Sequence, residues 1–194
     1  MRLLLTALLA LLGLSANVFA KQALRTMDEN VCGGKIIVNE DCKGHDHRKW
    51  QVSCCDEGYR IQGVIYTDHA ESDSVDTLSA MCRSVAKGNT DIDNRDFGRE
   101  NRVKITCNNN EILTGVVWKD RVTKAQGQID SMDSVVPVCV NPATGARRVL
   151  SSTDFQNGGG ALHKAEVNLP RRVIGIASKE RLGDTTDCAA VVVK

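Results

Sequence analysis

The sequence predicts an all-β domain assembled from three related units. A glycine-centred apolar block occurs three times: Arg60-Ile61-Gln62-Gly63-Val64-Ile65-Tyr66-Thr67-Asp68, Ile112-Leu113-Thr114-Gly115-Val116-Val117-Trp118-Lys119-Asp120 and Arg172-Val173-Ile174-Gly175-Ile176-Ala177-Ser178-Lys179-Glu180. Downstream of each lies an acidic block: Asp73-Ser74-Val75-Asp76, Asp130-Ser131-Met132-Asp133 and Asp184-Thr185-Thr186-Asp187. Two ordered motifs in triplicate mark internal repetition. No segment beyond residue 20 holds a long helical period with capping signals, whereas short β-branched runs bounded by polar turns are frequent. Three equivalent units favour a three-fold arrangement of small sheets over a two-layer sandwich.

Along the chain, residues 1–20 read as a signal peptide. Arg2 opens it, an aliphatic run follows, and Val18-Phe19-Ala20 places small residues for cleavage before Lys21. Residues 21–34 are expected to form a loosely held N-terminal leader. The remainder, 35–194, reads as a single β domain with repeats at about 48–87, 102–145 and 162–194. Lys35-Ile36-Ile37-Val38 reads as the first strand and residues 48–53 as another. The glycine blocks supply further strands, and so do residues 76–82, 133–139 and 187–193. Two polar, glycine-bearing inserts, 88–101 and 151–161, hold the same place between units, and each contains Asp-Phe. Phe97 and Phe155 are expected to peg these inserts to the body.

The cysteines follow the repeat. Cys55, Cys107 and Val167 each stand eight residues before the shared glycine, and Cys82, Cys139 and Val193 each stand six after the second shared aspartate. Paired presence in two units and paired absence in the third is the pattern of a disulfide, because losing one partner strands a thiol. The expected bridges are Cys55–Cys82 and Cys107–Cys139, with Val167 packing near Val193. Each would close a loop worth roughly 3–4 kcal/mol in the chain-entropy model. Cys32, Cys42, Cys54 and Cys188 leave three connectivities open.

All eight cysteines lie beyond residues 1–20, which suits an oxidising compartment, so the expected location is secreted or periplasmic. No later stretch is long and apolar enough for a helical membrane span. Removing residues 1–20 takes away Arg2 and no acid, so 24 acidic side chains face as many basic ones. That balance argues against nucleic acid as a partner held by bulk charge.

The run Cys55-Asp56-Glu57-Gly58-Tyr59, then Gly63 among alternating apolar residues, an acidic turn and a strand ending in Cys82, resembles the repeat of the vitelline membrane outer layer protein I family. The resemblance spans residues 50 to 193. It implies a β-prism with pseudo-three-fold symmetry, built from three Greek-key-like sheets, and a carbohydrate-related role. The sequence departs from that family in two ways. The family's turn runs Asp-Asp-Thr-Ala-Leu-Asn, and its final Asn is replaced here by Asp76, Asp133 and Asp187. The third unit also lacks the disulfide positions.

Two readings compete for the repeated aspartates Asp73, Asp76, Asp130, Asp133, Asp184 and Asp187. An aspartate at a turn accepts a backbone N–H a few residues on and holds the entry to the next strand. Alternatively, symmetry gathers Asp76, Asp133 and Asp187 at one end of the axis. Together with Asp68, Glu71, Asp120 and Glu180 they would then hold Ca²⁺ or a hydroxyl-rich sugar. His45-Asp46-His47 would place two imidazoles on one face of a strand for a transition metal, or form a solvated turn before Trp50. Nucleophile-elbow, phosphate-loop and dinucleotide motifs are absent, and His69 and His163 are isolated in sequence. Trp118, Tyr66 and Ser178 share one repeat position, where core packing is the expected use of the rings.

The leading expectation is a secreted, non-catalytic binding or envelope protein. Its partner would be a glycan or cell-envelope component, bound through acidic loops at one end, with no cofactor other than Ca²⁺ in view. The alternatives are a polysaccharide-acting enzyme using a carboxylate pair and a structural coat component that binds other proteins.

Overall fold

The computed structural model describes residues 24–39, 42, 50–68, 74–86, 91–93, 102–122, 129–157, 160–180 and 186–194. Its strands are β1 (Leu24–Val31), β2 (Gly34–Asn39), β3 (Gln51–Cys54), β4 (Tyr59–Asp68), β5 (Val75–Ser84), β6 (Asp91–Asp93) and β7 (Arg102–Thr106). There follow β8 (Ile112–Val122), β9 (Ile129–Val140), β10 (Arg147–Val149), the short helix α1 (Thr153–Asn157), β11 (Leu162–Glu166), β12 (Val173–Glu180) and β13 (Thr186–Val193). They form three antiparallel sheets, ordered β6-β5-β4-β7, β10-β9-β8-β11 and β1-β2-β13-β12-β3. The first two are Greek keys: three consecutive strands and a fourth that returns beside the first. In the third, hairpin β12–β13 is flanked by β2 and β3 from the start of the chain. The N-terminal segment therefore completes the last sheet, and the whole is an all-β, pseudo-three-fold prism. The signal-peptide segment 1–20, Phe97 and the His45-Asp46-His47 run lie outside the described residues.

The leader expected at 21–34 is largely a strand. Residues Leu24–Val31 pair along β2, and the connecting turn puts Cys32 and Gly33 both at positive φ, 55° and 71°. That pairing is the signature of a two-residue type I′ hairpin. Strand β1 stands at a sheet edge, where it needs one neighbour and no continuous apolar run, so it carries little sequence signal.

The repeated glycine marks a close approach. Gly63 faces Thr106 of β7, Gly115 faces Glu166 of β11 and Gly175 faces Cys54 of β3. A Cβ on Gly115 would lie 2.5 Å from the Ala165 carbonyl oxygen, and one on Gly175 would lie 2.7 Å from that of Ser53. At Gly63 the obstacle is the carbonyl of Ile105. Only glycine admits a neighbouring strand at this separation. Just before each glycine the ladder skips a residue: Gln62, Thr114 and Ile174. Such bulges bend a strand and increase its twist. Each bulged carbonyl accepts a backbone N–H from the neighbouring strand's exit, Cys107 to Gln62 at 2.8 Å, Val167 to Thr114 at 2.9 Å and Cys55 to Ile174 at 3.0 Å.

Those three donors occupy the repeat's cysteine position, so the bridges cross between sheets. Cys55, leaving β3 of the third sheet, is bonded to Cys82 in β5 of the first. Cys107, leaving β7 of the first, is bonded to Cys139 in β9 of the second. At the remaining seam Val167 and Val193 are both buried in the main core. The other bridges, Cys32–Cys54 and Cys42–Cys188, tie the N-terminal segment to the third sheet. Four disulfides fit an oxidising compartment.

The core lies between the sheets in symmetric layers. Val64, Val116 and Ile176 are fully buried. In the next layer the cross-strand pairs are Tyr66–Leu78, Trp118–Val135 and Ser178–Ala189. All six side chains are buried, and the small third pair makes room on the axis for the two rings. Phe155 of α1 packs on the core edge beneath Lys119, whose ammonium lies 4.9 Å from the ring centroid. Replacing Gly115 by Ala is expected to cost about 2–3 kcal/mol, because the backbone of β11 must move. Urea unfolding under oxidising conditions checks it, and a change below 0.5 kcal/mol would refute the close-approach role.

Candidate functional site

The paired strands β4–β5, β8–β9 and β12–β13 meet at Asp68–Val75, Val122–Ile129 and Glu180–Thr186, which is the hairpin end of the prism. The described residues of the acidic blocks that lie in strands, Val75–Asp76, Asp130–Asp133 and Thr186–Asp187, fall near the start of the second strand of each pair. In all three hairpins the ladder steps over the second shared aspartate. Thr67 pairs with Thr77 and Asp68 with Val75; Lys119 pairs with Ser134 and Asp120 with Met132; Lys179 pairs with Cys188 and Glu180 with Thr186. Asp76, Asp133 and Asp187 are thus the extra residues of three equivalent bulges, a device that re-aims a side chain. They lie within β5, β9 and β13. All three are half-buried. The residues just before them, Val75, Met132 and Thr186, are fully buried and close this end of the core. The Thr186 hydroxyl donates to the Asp76 carbonyl at 3.1 Å, which joins the first and third units directly.

Asp73, Asp184 and Glu71 lie outside the described residues, and Asp130 belongs to β9. The same end carries a pair that is not evident in the sequence. Asp120 Oδ2 and His163 Nε2 are 2.6 Å apart, with side chains 8% and 15% exposed. His163 stands opposite Trp118 in the β8–β11 ladder, and their rings stack at 5.6 Å between centroids and 24° between planes. The backbone secures the arrangement, since the Asp120 N–H donates to the Ala161 carbonyl at 3.0 Å. Sequence reading treats His163 as isolated because its partner is 43 residues away and only strand pairing unites them. The one available signal is that both positions fall on strands with the same alternation.

Two lysines in equivalent positions meet aromatic rings near this end: Lys119 over Phe155, and the buried Lys179 over Trp50 at 5.8 Å. Such contacts hold an ammonium partly out of water. Among the described residues at this end, the Asp120–His163 pair brings a carboxylate and an imidazole into hydrogen-bonding contact.

At the opposite end the ionic contacts are structural. Arg148 grips Glu111 through two bonds of 2.6 and 2.7 Å, and Arg147 grips Glu166 in the same forked geometry. The Arg148 guanidinium holds the Glu111 carboxyl below its ordinary range. Glu111 approaches Cys107 and Cys139, a trio with the spacing of a metal site. Those two cysteines are bonded to each other, so they have no thiolate to offer and the trio is not a donor set.

No protein-family model matches the sequence, and no curated protein matches it. Among solved structures, the chain is similar to Calystegia sepium agglutinin, with 9% identity over 78% of this chain and 91% of that one, and a TM-score of 0.49. It is similar to AcmJRL, a mannose-binding jacalin-related lectin from Ananas comosus, at 12% identity, 77% and 92% coverage and a TM-score of 0.47. For a prostate-specific WGA16 glycoprotein lectin the values are 11%, 75%, 89% and 0.46. The prism itself stands on the strand pairing described above.

Because the Glu111 carboxyl is lowered in the folded protein, it stabilises the fold above its unfolded value, near 4.5. That contribution is lost as pH falls through the lower folded value. Glu111→Gln is expected to cost on the order of 1 kcal/mol at pH 7, given that Arg148 is half in water. The gap from the unsubstituted protein should narrow progressively as pH falls below that unfolded value. Paired urea titrations between pH 3 and 7 test this; a gap that widens in acid would contradict it.

Proposed function

We propose that this protein is a secreted, non-catalytic glycan-binding protein whose recognition surface is the hairpin end of the prism. The observation that carries the reading is the threefold bulge. At one end of the molecule, three ladders step over an aspartate at equivalent positions; the three residues are half-buried, and Asp76 Oδ1 and both Asp187 carboxylate oxygens are themselves buried. A bulge in every unit is costly to ladder pairing and commonly lies where a side chain is re-aimed for binding. A carboxylate accepts pairs of hydroxyl protons from a sugar, directly or around Ca²⁺, and the reading rests on Asp133 and on the second oxygen of Asp76, not on the buried carboxylate of Asp187. The rings of Trp118 and Tyr66 stiffen the floor beneath them and are too buried to stack on a ligand.

The Asp120–His163 pair supports the second reading, an enzyme acting on a polysaccharide, since a histidine braced by a carboxylate is a competent acid or base. Its burial weighs against direct contact with a polymer chain.

The test is a broad glycan array probed with calcium and again with a chelator, repeated with Asp133→Asn. Selective binding is expected, weakened at least about tenfold by the substitution, with a melting temperature within ~2 °C of the original because the amide preserves the shape. Loss on chelation assigns calcium to the site. No binding under either condition, or a large fall in melting temperature with binding intact, would contradict the proposal. Release of reducing ends from a bound glycan would favour the enzyme.

A further inference from the structure

The end of the prism opposite the hairpin loops carries a feature of the reverse charge. Here the β1–β2 turn, the start of β12 and the end of β13 frame an open concavity of about 560 Å³. Asn30, Gly33, Gly34, Lys35, Arg171 and Lys194 line most of it, with no aspartate or glutamate among the lining residues; the terminal carboxylate on Lys194 offsets one of the three cationic side chains. Lys35, Arg171 and Lys194 are exposed, and no described carboxylate lies in ion-pair contact with any of them. At the same end of the molecule, by contrast, Arg147 and Arg148 are each gripped by a glutamate. Asp56 and Glu57, in the turn before β4, do not line the concavity.

The three cations are held by rigid backbone. Lys35 is fixed between Asn30 of β1 and Val193 of β13. The Arg171 N–H donates to the Asn168 carbonyl at 3.2 Å, and the Lys194 N–H donates to the Arg172 carbonyl at 3.0 Å. Gly33 leaves the floor open, since a side chain built there would meet nothing within 4 Å. Next to the concavity, the Arg172 guanidinium donates to the Tyr59 carbonyl at 3.3 Å and Arg60 to the Asn109 carbonyl at 3.0 Å. These two use part of their donor capacity on carbonyls and keep their full charge, which extends the positive field across the seam between two sheets.

We propose that this concavity is a second binding site, one that takes sulfate or phosphate groups carried on an extracellular glycan. The three cationic side chains outnumber the one terminal carboxylate on Lys194, so the concavity keeps a net positive charge that an oxoanion would neutralise. Arg171 can meet two of its oxygens with the guanidinium fork, while Lys35 and Lys194 act as point charges. The neutral sum over the chain disfavours attraction by bulk charge but leaves a local cationic face free to act within a Debye length. The site stands whether or not the hairpin end binds sugar, because the two lie at opposite ends.

The test measures binding of the full chain to dextran sulfate, phosphorylated mannan, neutral dextran and neutral mannan in 0.15 M salt. Binding to at least one anionic polymer and to neither neutral one is expected. The two anionic arms tell sulfate from phosphate. The combined substitution Lys35→Gln, Arg171→Gln and Lys194→Gln should weaken it at least tenfold. Removing three charges elsewhere, by Arg102→Gln, Lys104→Gln and Lys164→Gln, should weaken it less than threefold. Should the triple variant melt early, Arg171→Gln alone should still weaken binding by about threefold. Failure of both anionic polymers to bind, or equal losses from the two charge-matched variants, would overturn the site.

Discussion

Three close approaches of backbone to backbone organise this molecule. At Gly63, Gly115 and Gly175 an outer strand lies where a Cβ would stand. Immediately before each glycine a bulged residue offers its carbonyl to the N–H of the segment leaving that strand. The chain can therefore turn out of one sheet and enter the next while its backbone groups stay satisfied. The bridges Cys55–Cys82 and Cys107–Cys139 then lock two of the three seams, and two buried valines fill the third. The other two bridges, Cys32–Cys54 and Cys42–Cys188, fasten the N-terminal segment to β3 and β13 of the third sheet.

The same construction gives the prism two unlike ends. One receives all three hairpin loops and all three bulged aspartates. The other receives the start and finish of each central hairpin and a cluster of arginines and lysines. Two of those arginines are absorbed by Glu111 and Glu166, and the cations around the β1–β2 turn are not. A chain whose charges nearly balance, 25 basic against 24 acidic side chains, is thus locally polar in both directions. Recognition at either end depends on this local arrangement and not on the sum.

The three-unit plan was legible because its cause acts at single positions. A glycine that admits a neighbouring strand tolerates no replacement, so it recurs in every unit, and a disulfide leaves a mark in pairs. What was hidden depends on pairing across distance. Strand β1 lacks an apolar run because an edge strand needs none. That β2 and β3 complete the last sheet follows from closure of the three-fold and from no local pattern. The repeated aspartates were visible as a motif, yet their place inside bulged ladders is a matter of register, which composition does not encode. His163 and Asp120 meet for the same reason, through the β8–β11 ladder. Cys54 and Cys188 find Cys32 and Cys42 only once the N-terminal segment has been laid on the third sheet.

Native-state hydrogen exchange at the amides of Cys55, Cys107 and Val167 would test most directly whether the three seams act as one closure. Each amide donates to a bulged carbonyl in a neighbouring hairpin. If the fold depends on all three, they should exchange only through global unfolding, with one shared free energy equal to that from denaturant titration. Exchange of the disulfide-free Val167 seam several kcal/mol below the other two would show that the sheets open independently and that symmetry of sequence is not symmetry of stability.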